Sequence, residues 1–185
     1  MSGHELWTMV FLTRAIQYSL ESFSYLQQNG SMFFLPIVFA LFTSPKISQT
    51  PFPPSVNKTV LLELINDARK KGCNCGDAHY GPAPALTWND QLEKAAFLHS
   101  DDMFQKRYFS HTGSDGSGTG ERIMNAGYNW RFFGENIALG YKTEKEVVDG
   151  WLSSPGHCKN IMNKNYKEMG VARVGDYWTQ DFGVR

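Results

Sequence analysis

Met169-Gly170-Val171-Ala172-Arg173-Val174-Gly175-Asp176-Tyr177-Trp178-Thr179-Gln180-Asp181-Phe182-Gly183-Val184 closes the chain with two runs rich in β-branched and aromatic residues. Gly175-Asp176 is a two-residue turn between them, so the runs pair as an antiparallel hairpin. Upstream, Gly134-Glu135-Asn136-Ile137-Ala138-Leu139-Gly140 reads as a further strand. A helix separates it from the hairpin. Thr143-Glu144-Lys145-Glu146 is a capping box, and Val147, Val148, Trp151 and Leu152 form an apolar stripe before Ser153-Ser154-Pro155-Gly156 ends it. Strands interleaved with amphipathic helices predict an α+β domain with a small antiparallel sheet covered by helices.

Three more helices precede these strands. Asn57 or Thr59 caps the first, with Leu61, Leu64, Ile65 and Ala68 on one face and Lys70-Lys71-Gly72 as basic last turn and stop. Asn89 or Asp90 caps the second, whose buried stripe is Leu92, Ala95, Ala96, His99 and Met103. A histidine in such a stripe reads as a core residue with a hydrogen-bond partner. Glu121 to Ala126 form a short third helix, stopped by Gly127. Cys73 to Pro84 reads as an irregular loop because of its Gly and Pro content. Gly113 to Gly120 reads as a surface loop. No apolar strand precedes it and no Gly-Lys-Ser/Thr closes it, against a phosphate loop, and Asp115 alone cannot supply the oxygens a calcium loop needs.

The 185 residues carry 18 Lys+Arg against 18 Asp+Glu, which leaves no basic excess to neutralise a nucleic-acid backbone. Residues 1–56 are charge-poor. Within them Met32-Phe33-Phe34-Leu35-Pro36-Ile37-Val38-Phe39-Ala40-Leu41-Phe42 has the length of an export-signal core and is too short to span a bilayer. The expected organisation is an over-called start or disordered segment at 1–31, a signal peptide at 32–48, a Pro-rich linker at 49–56 and one domain at 57–185. An apolar helix packed on the domain is the rival reading of residues 32–42.

His111, Glu135 and His157 are the candidate chemistry. Two imidazoles and a carboxylate suit a zinc or other divalent site with open positions, or a general base oriented by an acid. Their spacing alone brings nothing together, since no local His-Glu-x-x-His joins them.

Asn66-Asp67-Ala68-Arg69, Leu86-Thr87-Trp88-Asn89, Ala96-Phe97-Leu98-His99-Ser100-Asp101-Asp102-Met103, Tyr108-Phe109-Ser110-His111, Gly134-Glu135-Asn136-Ile137, Gly150-Trp151-Leu152-Ser153-Ser154-Pro155-Gly156-His157 and Met169-Gly170-Val171-Ala172 run in order along the chain. Together they resemble the CAP superfamily of cysteine-rich secretory, antigen 5 and pathogenesis-related 1 proteins, and its bacterial SCP-like extracellular branch in particular.

The resemblance implies an α-β-α sandwich, secretion, and a cleft lined by paired histidines and acids. His111 and His157 match the two cleft histidines and Glu135 one acid; the second acid falls at Ser154 or Pro155, so the cluster of four is incomplete. The expectation is a secreted domain whose cleft holds zinc or another divalent cation on His111 and His157, beside Glu135 and Ser154, and takes an extracellular ligand. Asn136 and Trp151 are expected to be structural supports. Two alternatives stand beside it: a metal-assisted hydrolase of peptide or envelope polymer using His111, Glu135 and His157, and a lipid or sterol carrier. A nucleophilic Cys158 paired with His111 is disfavoured, because nothing in the sequence stabilises a thiolate. In an exported chain Cys158 bridges to Cys75 or, alternatively, Cys73, with Cys75 favoured by the neighbouring Gly76. A Cys73-Cys75 bridge is geometrically poor.

Overall fold

The structure is a computed structural model and describes residues 56–185. The expected signal peptide at 32–48, the segment 1–31 and nearly all of the linker at 49–56 lie outside these residues. Among the described residues no helix is long and apolar enough to cross a membrane.

Helix α1 (Lys58–Lys71) starts where the Asn57 side chain accepts from the Val60 amide, and Leu61, Ile65 and Arg69 face inward. Strands β1 (Cys73–Cys75) and β2 (Ala78–Tyr80) form a two-stranded antiparallel ladder. This corrects the irregular loop expected there. Gly76, at φ 67°, and Asp77 turn the chain in two residues, which the Gly content permits rather than prevents. The short strand β3 (Thr87–Trp88) leads to α2 (Asp90–Lys106), capped by Asn89. Helix α3 (Thr119–Asn125) begins two residues before the sequence pattern places it, inside the glycine-rich stretch.

Strand β4 (Phe132–Leu139), helix α4 (Glu144–Ser153) with its Thr143 capping box, and α5 (Pro155–Met162) follow. The sequence reading takes Ser-Ser-Pro-Gly as a stop and misses α5. Pro155 instead sits at the first position of the new helix, where its missing N–H costs nothing. Strands β5 (Glu168–Val174) and β6 (Tyr177–Val184) complete a four-stranded sheet of order β3-β5-β6-β4. The sheet is mixed rather than purely antiparallel, because β3 joins β5 in parallel.

Helices cover both faces of this sheet. Alternation along β6 sends Trp178 and Phe182 towards α1, α4 and α5, where they join Leu61, Ile65, Val147, Val148, Trp151, Ile161 and Met162 in the main core. On the other face α2 lies directly on β5 and β6. There a Cβ on Gly170 would collide with the backbone of Leu92 and Glu93, so only glycine lets helix and strand approach so closely. Leu92 and Ala95 of α2 meet Ile123, Ala126 and Tyr128 in a second cluster. The architecture is therefore an α-β-α sandwich.

Arg69 is the exception in the core. It reads as part of a basic last turn, yet it is fully buried. Its guanidinium donates to the carbonyls of Pro84 at 2.7 Å, Ile161 at 2.5 Å and Asn163 at 3.0 Å, which holds three segments together. Burial lowers its pKa to about 10, which still leaves it charged at neutral pH.

Candidate functional site

Strand register brings the acids together. Glu135 of β4 lies opposite Asp181 of β6, and both point to the face covered by α2 and α3. Around them stand His111 from the loop after α2, Arg122 from α3 and Thr119 at its start. Glu135 Oε1 accepts from His111 Nδ1 at 2.7 Å and from the Thr119 hydroxyl at 3.1 Å, while Oε2 accepts from Arg122 at 2.7 Å. The Glu135 side chain is 3% exposed and that of His111 is 55% exposed. The pair therefore runs from interior to solvent: a buried carboxylate fixes an imidazole whose other nitrogen is turned away from the Glu135 bond.

Electrostatics sort the two acids. Burial would raise the Glu135 pKa, but the His111 hydrogen bond and the Arg122 charge overcome it and hold the carboxyl below its ordinary value. Asp181 is driven the other way, well above the usual carboxylate range, first by complete burial and then by the negative charge of Glu135. Two acids against one arginine thus divide into an ionised Glu135 and an Asp181 that favours its proton. His99 is buried behind them. Its Nε2 donates to the Ser110 carbonyl at 2.9 Å, and burial pushes its pKa down.

His157 enters from the opposite layer, in the first turn of α5. Its imidazole is driven below the ordinary value, first by burial and then by repulsion from a protonated His111. Ser154 caps that helix, ending α4 and starting α5 in one residue. Asn136 is fully buried on the face opposite Glu135. It donates to Gln180 Oε1 at 3.1 Å and to the His157 carbonyl at 3.3 Å, and accepts from Asn160 at 2.9 Å. Trp151 is buried in α4, with its indole N–H 3.4 Å from the Ile137 carbonyl. Trp151 thereby ties α4 to β4, and Asn136 ties β4 to α5, the helix that carries His157.

Among the described residues the trio whose metal-ligating atoms all lie within 4.8 Å of one another is Cys73, Cys75 and Cys158. His111, Glu135 and His157 form no such closed set. Of the sulfurs, Cys75 and Cys158 stand at disulfide-bonding distance across 83 residues, and Cys73 carries a free thiol. The tie fastens β1 to α5, one residue from His157.

Sequence reasoning misses Asp181, Arg122 and Thr119. A lone acid in the otherwise uncharged strand Tyr177 to Val184 is the available signal for Asp181, but its partner depends on a register across 46 residues.

Comparison with known proteins gives the class. The model of the CAP family, the cysteine-rich secretory protein family, matches residues 62–182, and the chain belongs to that family. More particularly, it falls with the bacterial SCP-domain proteins. It is 36% identical over 145 residues to "Uncharacterized protein YkwD" of Bacillus subtilis (strain 168), covering 76% of this chain and 53% of that protein. A second B. subtilis relative, "Uncharacterized membrane protein YlbC", is 36% identical over 122 residues, 66% of this chain and 33% of its own length. The chain thus spans about half and a third of these two relatives. Among solved structures, an extracellular protein containing a SCP domain from Bacillus anthracis str. Ames superposes with a TM-score of 0.57 at 27% identity, over 69% of this chain and 41% of that one.

Proposed function

We propose that this is a secreted binding domain whose cleft holds a divalent cation, zinc being the first candidate, on His111 and His157, and presents it to an extracellular ligand. The observation that carries this reading is the 2.7 Å hydrogen bond from His111 Nδ1 to the buried Glu135 carboxylate. That bond sets the tautomer with Nε2 bare, the arrangement in which a carboxylate orients a metal-binding imidazole from behind. Burial favours the neutral, ligating form of His157. Glu135 then orients rather than ligates, since its oxygens are taken by His111, Thr119 and Arg122. Two imidazoles leave most of a tetrahedral shell for water and ligand, and such an ion would supply Lewis acidity there. The extracellular description of the B. anthracis neighbour supports secretion, while the membrane description of YlbC leaves surface attachment as the other form of export.

Metal-assisted hydrolysis of a peptide or envelope polymer is the second reading. It is favoured by the same dyad, because an acid-oriented imidazole can also take a proton from water. Asp181 does not restore the missing cleft acid for that chemistry: it is 1% exposed and favours its protonated form. Lipid or sterol carriage has weaker support. A groove of about 820 Å³ beside α1 offers Val60, Leu62 and Leu64, but Glu63, Asp67 and Lys70 line it as well.

Calorimetric titration with Zn²⁺ tests the reading. His111→Ala and His157→Ala are each expected to abolish measurable binding, and Glu135→Gln to weaken it about 10- to 100-fold. Unchanged affinity in both histidine variants removes the metal site. If binding is lost in them but a peptide or glycan panel shows no turnover in the zinc-loaded wild type, the binding reading stands and the hydrolase reading falls.

A further inference from the structure

The third cysteine has a place in the fold that neither the metal cleft nor the disulfide explains. Cys73 and Cys75 are two apart on β1, so their side chains leave the same face of the strand, and both meet Cys158. Cys73 Sγ lies 3.2 Å from Cys158 Sγ and 3.8 Å from Cys75 Sγ. Cys158 is fully buried and Cys75 is 2% exposed, whereas Cys73 is partly open to solvent. A thiol therefore rests against a disulfide in a site closed on one side and accessible on the other.

The strand that carries both cysteines is lightly held. Its ladder to β2 has three residue pairs and is separate from the four-stranded sheet. Its turn meets α5 at Gly76, where an added Cβ would come within 3.2 Å of Pro155. Either cysteine of β1 could tie this hairpin to α5.

We infer that Cys73, Cys75 and Cys158 form a thiol–disulfide exchange centre, in which the bridge to Cys158 passes between Cys75 and Cys73. The Cys73 thiolate attacks Cys158 Sγ; the Cys73–Cys158 bond forms as the Cys75–Cys158 bond breaks, and Cys75 leaves as the thiolate, which takes up the proton that Cys73 gave to solvent. One bond replaces another, so no oxidant or reductant is consumed. The three sulfurs form a triangle rather than a line, and the displacement starts with a rotation of the Cys73 side chain. Burial raises the Cys73 thiol pKa, so at neutral pH the thiolate is scarce and exchange is slow. The consequence is a tether that is never lost on exchange, with a reactive thiol that alternates between a half-open and a buried position. This inference does not depend on the metal reading.

The test uses the full-length oxidised protein, held at pH 7 or pH 9, then quenched with acid to stop exchange, unfolded in guanidinium so that a buried thiol is exposed, and labelled with N-ethylmaleimide while still acidic. Fragment-ion mass spectrometry of the unreduced peptide containing Cys73-Asn74-Cys75 locates the label. The expected result is two populations, label on Cys73 with Cys75 bridged and label on Cys75 with Cys73 bridged. The second should appear about tenfold faster per pH unit below the thiol pKa. Cys73→Ser should show no label at either pH. Cys75→Ser should close a Cys73–Cys158 bridge in a glutathione buffer. Should Cys75→Ser fail to fold, the wild-type labelling decides alone. Label confined to Cys73 after prolonged incubation at pH 9 overturns the inference.

Discussion

Neighbouring residues of one strand serve opposite environments. Glu135 looks towards α2 and α3, into a cluster of ionisable groups with Arg122, Asp181 and His111. Asn136 looks the other way, towards α5, into a neutral network with Gln180 and Asn160. Both are buried. The difference teaches how one strand, β4, joins a buried ionisable cluster to a neutral amide network. The charged face is held by a balance that one substitution can upset, whereas the amide face is held by hydrogen bonds that each cost only their own loss.

The largest expected effect breaks the charged side. Arg122→Ala removes the partner of a buried carboxylate and should lower unfolding free energy in urea by about 3–5 kcal/mol. A loss below about 1 kcal/mol would show that Glu135 is paired well enough by His111 and Thr119 alone. Asn136→Ala strikes the other face. It leaves Gln180 and Asn160 without their amide partner and should cost about 1–3 kcal/mol in the same assay. Equal losses in the two variants would erase the contrast between the faces.

The smallest effect sharpens the comparison. Asp181→Asn replaces a protonated acid by a neutral isostere and should change stability by under about 1 kcal/mol near pH 4. The pH dependence has a definite sign. A raised folded pKa means the native protein binds the Asp181 proton more tightly than the unfolded chain does, so this stabilising contribution is lost as pH climbs through the folded value. The Asn variant lacks that term, so its stability relative to wild type should rise from about pH 4 upward. Parallel urea midpoints for the two proteins between pH 4 and 8 would show that Asp181 is ionised after all. Glu135 has the opposite sign. Its depressed pKa gives stability that is present above the ordinary value and disappears as pH falls through the folded one.

Local signals carried most of the fold. Asn57, Asn89 and the Thr143 box announce helix starts through side-chain oxygens a few residues from the amides they accept, and the hairpin around Gly175-Asp176 is equally local. What escaped depends on distance or on ambiguous punctuation. Pro155 both ends α4 and starts α5, and proline alone does not say which. Arg69 looks like a solvent-facing cation because the three carbonyls that receive it come from elsewhere in the chain. For the site, His111, Glu135 and His157 could be named from a family pattern, but not assembled. The contact of His111 with Glu135 depends on the loop after α2 returning to β4, and no spacing in the sequence encodes that.

Arg69 also orders events in time. Two of its acceptors, Ile161 and Asn163, lie 92 and 94 residues further along the chain. During synthesis from the N-terminus α1 can coil early, but its cation stays in water and lacks two of its three carbonyl acceptors until α5 has been made. The first helix of the domain is thus among the last to be locked. Closure of the sandwich waits on long-range contacts of the kind that slow folding, and α1 takes up its final burial only once α5 is there to receive it.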